Sequence, residues 1–197
     1  QFIRSDEMKP IWDSLKVNPE DVAKLAVGPE HYKERSFSDW EAILSEIIAG
    51  GAFGVDRIDY LLRDSYHIGA AYGRFDHYRL IDTLRILPRE YRSSEQEPGS
   101  LEPTLGVEEG GLHSAEALLL ARYFMFSQVY CHHVRRIYDI HLMDFLQAWL
   151  PGGQFSTCAE DLLMITDNEV TSGLLAAARD VSHPAHVHAR RVVGREH

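Results

Sequence analysis

Cysteine is scarce in this chain: Cys131 and Cys158 are the only two among 197 residues. That excludes a disulfide framework and a multi-cysteine metal centre. No run of about 18 apolar residues occurs, so no membrane-crossing helix is written here, and nothing at the start resembles a secretory leader. A cytoplasmic protein with no membrane partner is the expectation. Positive charge is in deficit, with 20 Lys+Arg against 30 Asp+Glu and a net charge of −10. A protein whose main task is to grip nucleic-acid phosphates needs the opposite balance, although local basic clusters can still hold a small anion. Gly-x-Ser-x-Gly is absent, which leaves a serine-hydrolase triad without its usual signature. Internal repeats and low-complexity tracts are also missing. The chain starts at Gln1 rather than at a methionine, and the expectation is that these residues are a fragment.

What is present is a chain with 45% apolar residues, enough for a real core, and a dense set of helix signals. Asn18-Pro19-Glu20-Asp21 is a cap, a first-turn proline and two first-turn acids, with Gly28-Pro29 closing that helix. Ser38-Asp39-Trp40-Glu41 predicts a capping box on a helix that stops at Gly50-Gly51, and Thr157…Glu160 and Thr166…Glu169 repeat the spacing. Ser182-His183-Pro184 marks another helix start. The longest periodic segment runs from about Leu112 to Leu150, with a kink or break expected within it. Thr83–Leu87, alternating and ending at Pro88, predicts a strand, and Thr104–Val107 a partner for it. Between them Ser93 to Pro103 reads as an exposed loop. The fold class is therefore mainly α, a helical bundle with a small β-hairpin.

The most informative stretch is Val55-Asp56-Arg57-Ile58-Asp59-Tyr60-Leu61-Leu62-Arg63-Asp64-Ser65-Tyr66-His67. At roughly 100° per residue, Asp56, Tyr60, Arg63, Asp64 and His67 share an arc of about 100°, bordered by Arg57. Val55, Ile58, Leu61, Leu62 and Ile68 take the other side as a packed apolar face. A merely solvated helix face favours Lys and Glu. This one carries Asp, Tyr and His, poorer helix formers that suit metal, ribose and phosphate contacts.

The run Asp56-Arg57-Ile58-Asp59-Tyr60-Leu61-Leu62-Arg63-Asp64, with Gly69, Gly73-Arg74-Phe75-Asp76-His77-Tyr78-Arg79 and Leu112-His113-Ser114-Ala115-Glu116 after it, resembles HD-domain phosphohydrolases. Within them it is similar to the deoxynucleoside triphosphate triphosphohydrolases, the dGTPase-like enzymes. The resemblance implies an HD-domain-like bundle, with residues 1–87 the C-terminal part of the HD catalytic domain. Residues 88–111 would be a loop and hairpin, and 112–197 a helical C-terminal region with a long helix. It implies hydrolysis of a dNTP to a deoxynucleoside and tripolyphosphate with a divalent metal, Mn, Mg or Fe. By motif position Asp56 is the last protein ligand of that metal, and Arg57 and Arg122 bind the phosphates. Tyr60, Asp64 and Tyr130 form the sugar pocket, while Arg79, His132 and His133 form a regulatory patch for a nucleotide effector. Homo-oligomers fit the family, and Tyr123, Phe124, Phe126 and Tyr138 around the long helix suit a subunit interface.

The sequence departs from the family at the His-Asp pair that names it. Eleven histidines include no His-Asp dipeptide, and His31 is the sole histidine before Asp56. Three of four expected metal ligands are thus missing, and the expectation is an inactive span of a longer enzyme. Two other readings stand beside this one: an HD phosphohydrolase of another nucleotide or phosphoester, and an inactive nucleotide-binding or assembly module. Cys131 stands where a relative has a polar pocket residue. His183, His186 and His188 are close in sequence and zinc is set aside for them, because no cysteine or acidic residue adjoins.

Overall fold

The computed structural model describes residues 2–90 and 101–196. The protein is mostly helical with one two-stranded antiparallel hairpin, as expected. Its chain divides into two units, residues 1–125 and 126–197.

The first unit contains α1 (Lys9–Leu15), α2 (Pro19–Val27), α3 (Asp39–Ala49), α4 (Val55–Ile68) and α5 (His77–Asp82). Its helix signals act as the sequence spells them. Asn18 caps α2 by accepting from the Glu20 N–H, and Gly28, at φ +78°, ends it. Asp76 caps α5 through the Arg79 N–H at 2.9 Å. Ser38 and Glu41 close the capping box on α3. Glu41 also pairs at 2.6 Å with Lys24 of α2, whose side chain is almost wholly buried. One carboxylate therefore serves both a helix cap and the α2–α3 contact. The Lys24 ammonium, then the Ser38 N–H and hydroxyl, hold its pKa down to about 2.

Strands β1 (Leu84–Glu90) and β2 (Leu101–Val107) pair from Leu84 opposite Val107 to Glu90 opposite Leu101. The first strand does not stop at Pro88. Pro88 lies opposite Pro103, and in a ladder of only two strands a proline pair costs little, because both strands are edges. Residues 101–103, expected in a loop, belong to β2, and 93–100 lie outside the described residues. Glu46 of α3 ties the hairpin down, accepting from the Leu105 N–H at 3.2 Å and the Thr104 hydroxyl at 3.4 Å.

Helix α6 (Leu112–Met125) completes the unit. Leu61, Leu80, Leu118 and Met125 are fully buried, each worth roughly 1.5–3 kcal/mol of apolar burial. Buried Ser65 and Thr83 are satisfied locally, Ser65 by the Ala70 carbonyl and Thr83 by the Arg79 and Leu80 carbonyls. Gly111 is required where α6 begins, because a Cβ there would collide with the Thr83 side chain. One expectation fails on α4. Ile58 and Leu61 are buried, but Val55 and Ile68 are about half exposed, so only the middle turns of the apolar face are covered.

The second unit opens with a π-helical turn at Phe126–Tyr130, followed by α7 (His133–Trp149), α8 (Ala159–Leu163), α9 (Asp167–Arg179) and α10 (His186–Gly194). The expected break in the long periodic segment lies here, between Met125 and His133. Phe145, fully buried, stacks on Trp149 with ring centroids 5.6 Å apart and packs with Leu174, Ala177, Ala185 and Ala189. Gly173 lets α9 approach Trp149; a Cβ there would come within 2.7 Å of the indole. Thr166 and Glu169 close a capping box on α9. Thr157 and Glu160 do not. The cap of α8 is Cys158, one residue later than the spacing needs, and Glu160 accepts from its thiol instead.

Candidate functional site

Two glycines after α3 organise the predicted site. Gly50 ends α3 and Gly51 follows, presenting adjacent carbonyls at the negative end of that helix. Arg57, in the first turn of α4, donates its Nε–H to the Gly50 oxygen at 2.9 Å. Arg122 of α6 donates from Nη1 to the Gly51 oxygen at 3.2 Å. Two arginines 65 residues apart in sequence, predicted separately as phosphate ligands, thus meet on one dipeptide. Asp56 lies beside them, exposed, with Oδ1 accepting from the Arg57 N–H at 2.8 Å. Gly54 is packed close on this carboxylate; a Cβ there would stand 2.6 Å from Asp56 Oδ1.

Tyr60 and Asp64, both half-buried, follow Asp56 one and two turns along α4, at about 6 and 12 Å of helix rise. Asp59 and Arg63 form an i,i+4 pair at 2.9 Å. Arg57 also lines a cleft of about 650 Å³ with His31, Glu46, Arg89, Glu102 and Gly50. Arg89 is paired there with Glu102. A cleft of that volume suits a small molecule, and neither Asp56, Tyr60 nor Asp64 lines it.

Arg79, predicted as part of a regulatory patch, is exposed, and its guanidinium donates twice to the Gly110 carbonyl, at 3.1 and 3.2 Å. It secures the turn before α6. In the second unit, Tyr130 is half-buried with the Arg135 guanidinium over its ring at 5.5 Å. His132 is the N-cap of α7, accepting from the Val134 N–H, and its ring lies 4.3 Å from that of His133. Both histidines are exposed. Arg135 and Arg136 share Asp139 at 3.8 and 3.7 Å.

A single carboxylate offers one hard oxygen donor, which suits Mg, Mn or Fe but cannot hold an ion alone. Asp56 fits as one member of such a site. Among the described residues, however, the group of three close metal-ligating side chains is elsewhere: His141 and Asp144 of α7 with His188 of α10. The sequence reading missed it. His188 was considered only with its chain neighbours, whereas its carboxylate partner arrives by packing from α7. The usable signal was His141 and Asp144 at i,i+3, which puts both on one helix face.

Comparison with known proteins agrees with the helical architecture. The family model described as HD associated region matches residues 75–196. An uncharacterised protein of Methanocaldococcus jannaschii is 41% identical over 92 residues, covering 47% of this chain and 18% of its own length. The uncharacterised protein YwfO of Bacillus subtilis is 34% identical over 128 residues, 65% of this chain and 24% of its own. Among solved structures, a hypothetical protein from Aquifex aeolicus superposes with a TM-score of 0.75 at 32% identity, covering 99% of this chain and 46% of that one. A phosphohydrolase from Bacteroides thetaiotaomicron shares the fold, with a TM-score of 0.64 at 18% identity over 95% of this chain and 47% of its own. The chain thus spans a quarter or less of these curated relatives and just under half of the solved chains. Among the described residues no helix is long and apolar enough to cross a membrane.

Proposed function

Because this chain belongs to the family of HD associated regions, we propose that it is the C-terminal part of a metal-dependent HD phosphohydrolase acting on deoxynucleoside triphosphates. In this reading residues 1–87 finish the HD catalytic domain, 88–111 are a loop and hairpin, and 112–197 are an appended helical region. The observation that carries it is the convergence of Arg57 and Arg122 on the Gly50 and Gly51 carbonyls, beside Asp56. Those carbonyls hold two guanidiniums in place before any ligand arrives. A guanidinium has five N–H donors in a fixed fork, so Arg57 seated on one carbonyl can still grip a phosphate with the rest. Asp56 would be one ligand of the divalent metal, with the others supplied from outside this span. When bound, such a metal supplies Lewis-acid polarisation of a phosphate oxygen. Arg57 and Arg122 neutralise the phosphate chain. Tyr60 packs under the sugar, and Asp64 accepts from its 3′-hydroxyl. The same reading gives Arg79 in the first unit, and His132 and His133 in the second, a part in effector binding, and makes the assembly a homo-oligomer and the location cytoplasmic.

The test is made in the complete enzyme. Asp56→Ala at saturating Mn²⁺ is expected to lower turnover on the order of a thousandfold, about 4 kcal/mol of transition-state stabilisation. Wild-type turnover would sink the metal role. Asp64→Asn should weaken dGTP binding more than Mn²⁺ binding. Comparing dGTP with dGMP and GTP separates this reading from another phosphohydrolase of the superfamily. One observation favours a second reading, a nucleotide-binding module without hydrolysis: Asp56 belongs to no close group of three metal-ligating side chains among the described residues. That reading predicts dGTP binding with no product even in the complete enzyme.

A further inference from the structure

The His141–Asp144–His188 group lies in the second unit and has no part in the reading above. Its histidine Nδ1 atoms are 3.1 Å apart, and His188 Nδ1 is 3.4 Å from Asp144 Oδ2. Ligand atoms bound at about 2.05 Å around a tetrahedral ion are about 3.3 Å from one another. The two distances bracket that figure. His141 is buried, and His188 and Asp144 are about one-third exposed, so the group has a closed side and an open one.

The protons of this group cannot be placed without conflict. Arg191, one turn beyond His188 on α10, donates from Nη1 to His141 Nε2 at 3.2 Å. Arginine only donates, so His141 must accept at Nε2 and carry its proton on Nδ1. If that Nδ1–H donates to His188 Nδ1, the latter faces the Asp144 carboxylate with no proton between two lone pairs. If His188 instead carries a proton on Nδ1 for Asp144, two N–H groups face each other at 3.1 Å. If His141 moves its proton to Nε2 to relieve this, that N–H points at the Arg191 donor. Each arrangement leaves one contact between like partners. A divalent cation replaces them all: His141 Nδ1, His188 Nδ1 and Asp144 Oδ2 become ligands, His141 carries its proton on Nε2, and the exposed Arg191 lets go.

We infer that His141, Asp144 and His188 form a second divalent-metal site, of the zinc class, which ties α7 to α10 and for whose His141 ligand Arg191 competes. Two imidazoles with one carboxylate suit zinc rather than magnesium or calcium, which prefer all-oxygen sets. Three protein ligands leave a fourth position for water. The site is independent of Asp56, so its fate and that of the phosphohydrolase reading are separable.

The experiment is calorimetric titration of ZnCl2 into the full chain after chelator treatment, with Co²⁺ spectra as a report of geometry. Wild type is expected to bind one Zn²⁺ at this group and to melt at a higher temperature with Zn²⁺ than without. His188→Gln and Asp144→Asn should each weaken binding by about tenfold or more and abolish the melting shift. Both positions are partly exposed, and unchanged circular dichroism checks that the variants fold. Arg191→Gln should bind Zn²⁺ several-fold more tightly, because the competing donor is gone. Asp56→Ala should bind as wild type does. A wild-type chain without a saturable Zn²⁺ site would overturn the inference. So would a His188→Gln chain that binds as well as wild type, or an Arg191→Gln chain that binds no more tightly.

Discussion

The Gly50–Gly51 loop and the α7–α10 contact gather comparable chemistry in opposite ways. At the loop, cationic side chains are held by backbone carbonyls, and most of the site is spelled along one helix within a few turns. Between α7 and α10, imidazoles and a carboxylate are held by one another and by Arg191, across 47 residues of sequence from His141 to His188. The difference teaches where each kind of site gets its order. The α4 part of the loop site is built by local backbone geometry, so a linear motif announces it, and Arg122 joins it only through the packing of α6. The α7–α10 site exists only once the Phe145 core has brought two helices together, so its stability and its ligand geometry are one property.

That dependence can be broken directly, and it is the largest effect expected. Phe145→Ala removes a fully buried ring stacked on Trp149, at a cost of about 3–5 kcal/mol in urea unfolding. Zn²⁺ affinity should fall with it, although Phe145 is not a ligand. Leu61→Ala is the matched change in the first unit, on α4. It should cost about 2–5 kcal/mol and leave Zn²⁺ affinity as in wild type under conditions where the chain remains folded. A Phe145→Ala chain with undiminished Zn²⁺ affinity would show that the metal group needs no hydrophobic support, and the contrast would fail.

The fold was legible where start and stop residues act within a few positions. Asn18, Ser38, Asp76 and Thr166 all cap the helices they announce, and the hairpin lies where it was expected, each strand running three residues further toward the turn. Errors arose where the neighbours decide. Thr157 is passed over because α8 starts at Ala159. Val55 and Ile68 have the right period but lie at the helix ends, where packing does not reach. At the candidate site, α4 could be read as one polar face because 3.6 residues per turn align its polar side chains. That Arg57 and Arg122 would share one dipeptide was not readable, since nothing in a sequence gives the approach of α6 to the end of α3. His188 and Asp144 were missed for the same reason.

A smaller effect separates the two arginines from the metal group. Arg57→Gln and Arg122→Gln each delete a charge-assisted bond to a helix-terminal carbonyl, at about 1.5–3 kcal/mol if fully realised and less where water reaches the guanidinium. Thermal melts of the two variants should therefore fall by a few degrees, with Zn²⁺ affinity unchanged. A melt identical to wild type for both would mean that the carbonyls do not hold the guanidiniums, and the idea of a phosphate site set in advance would lose its basis.

The smallest effect sets one capping box against the other. Glu41 and Glu169 play the same role at the starts of α3 and α9, and both carboxyls sit below the ordinary value of 4.5. Hydrogen bonds from Thr166, and then from its own backbone N–H, depress Glu169, whereas Glu41 also faces the Lys24 ammonium and is held at about 2. A depressed pKa in the folded state means that the unfolded chain binds the proton more readily. The contribution to stability is therefore complete above about pH 4.5 and is lost as pH falls toward 2. Unfolding measured between those limits should fall less steeply with acid in Glu41→Gln than in wild type. Glu169→Gln should flatten the curve by less, and at neutral pH it should change stability little, since glutamine can take the same place in a capping box. Equal flattening by the two variants would show that Lys24 adds nothing to the cap it touches. The buried ammonium would then have to be explained by packing, through its contact with the Phe37 ring at 4.7 Å.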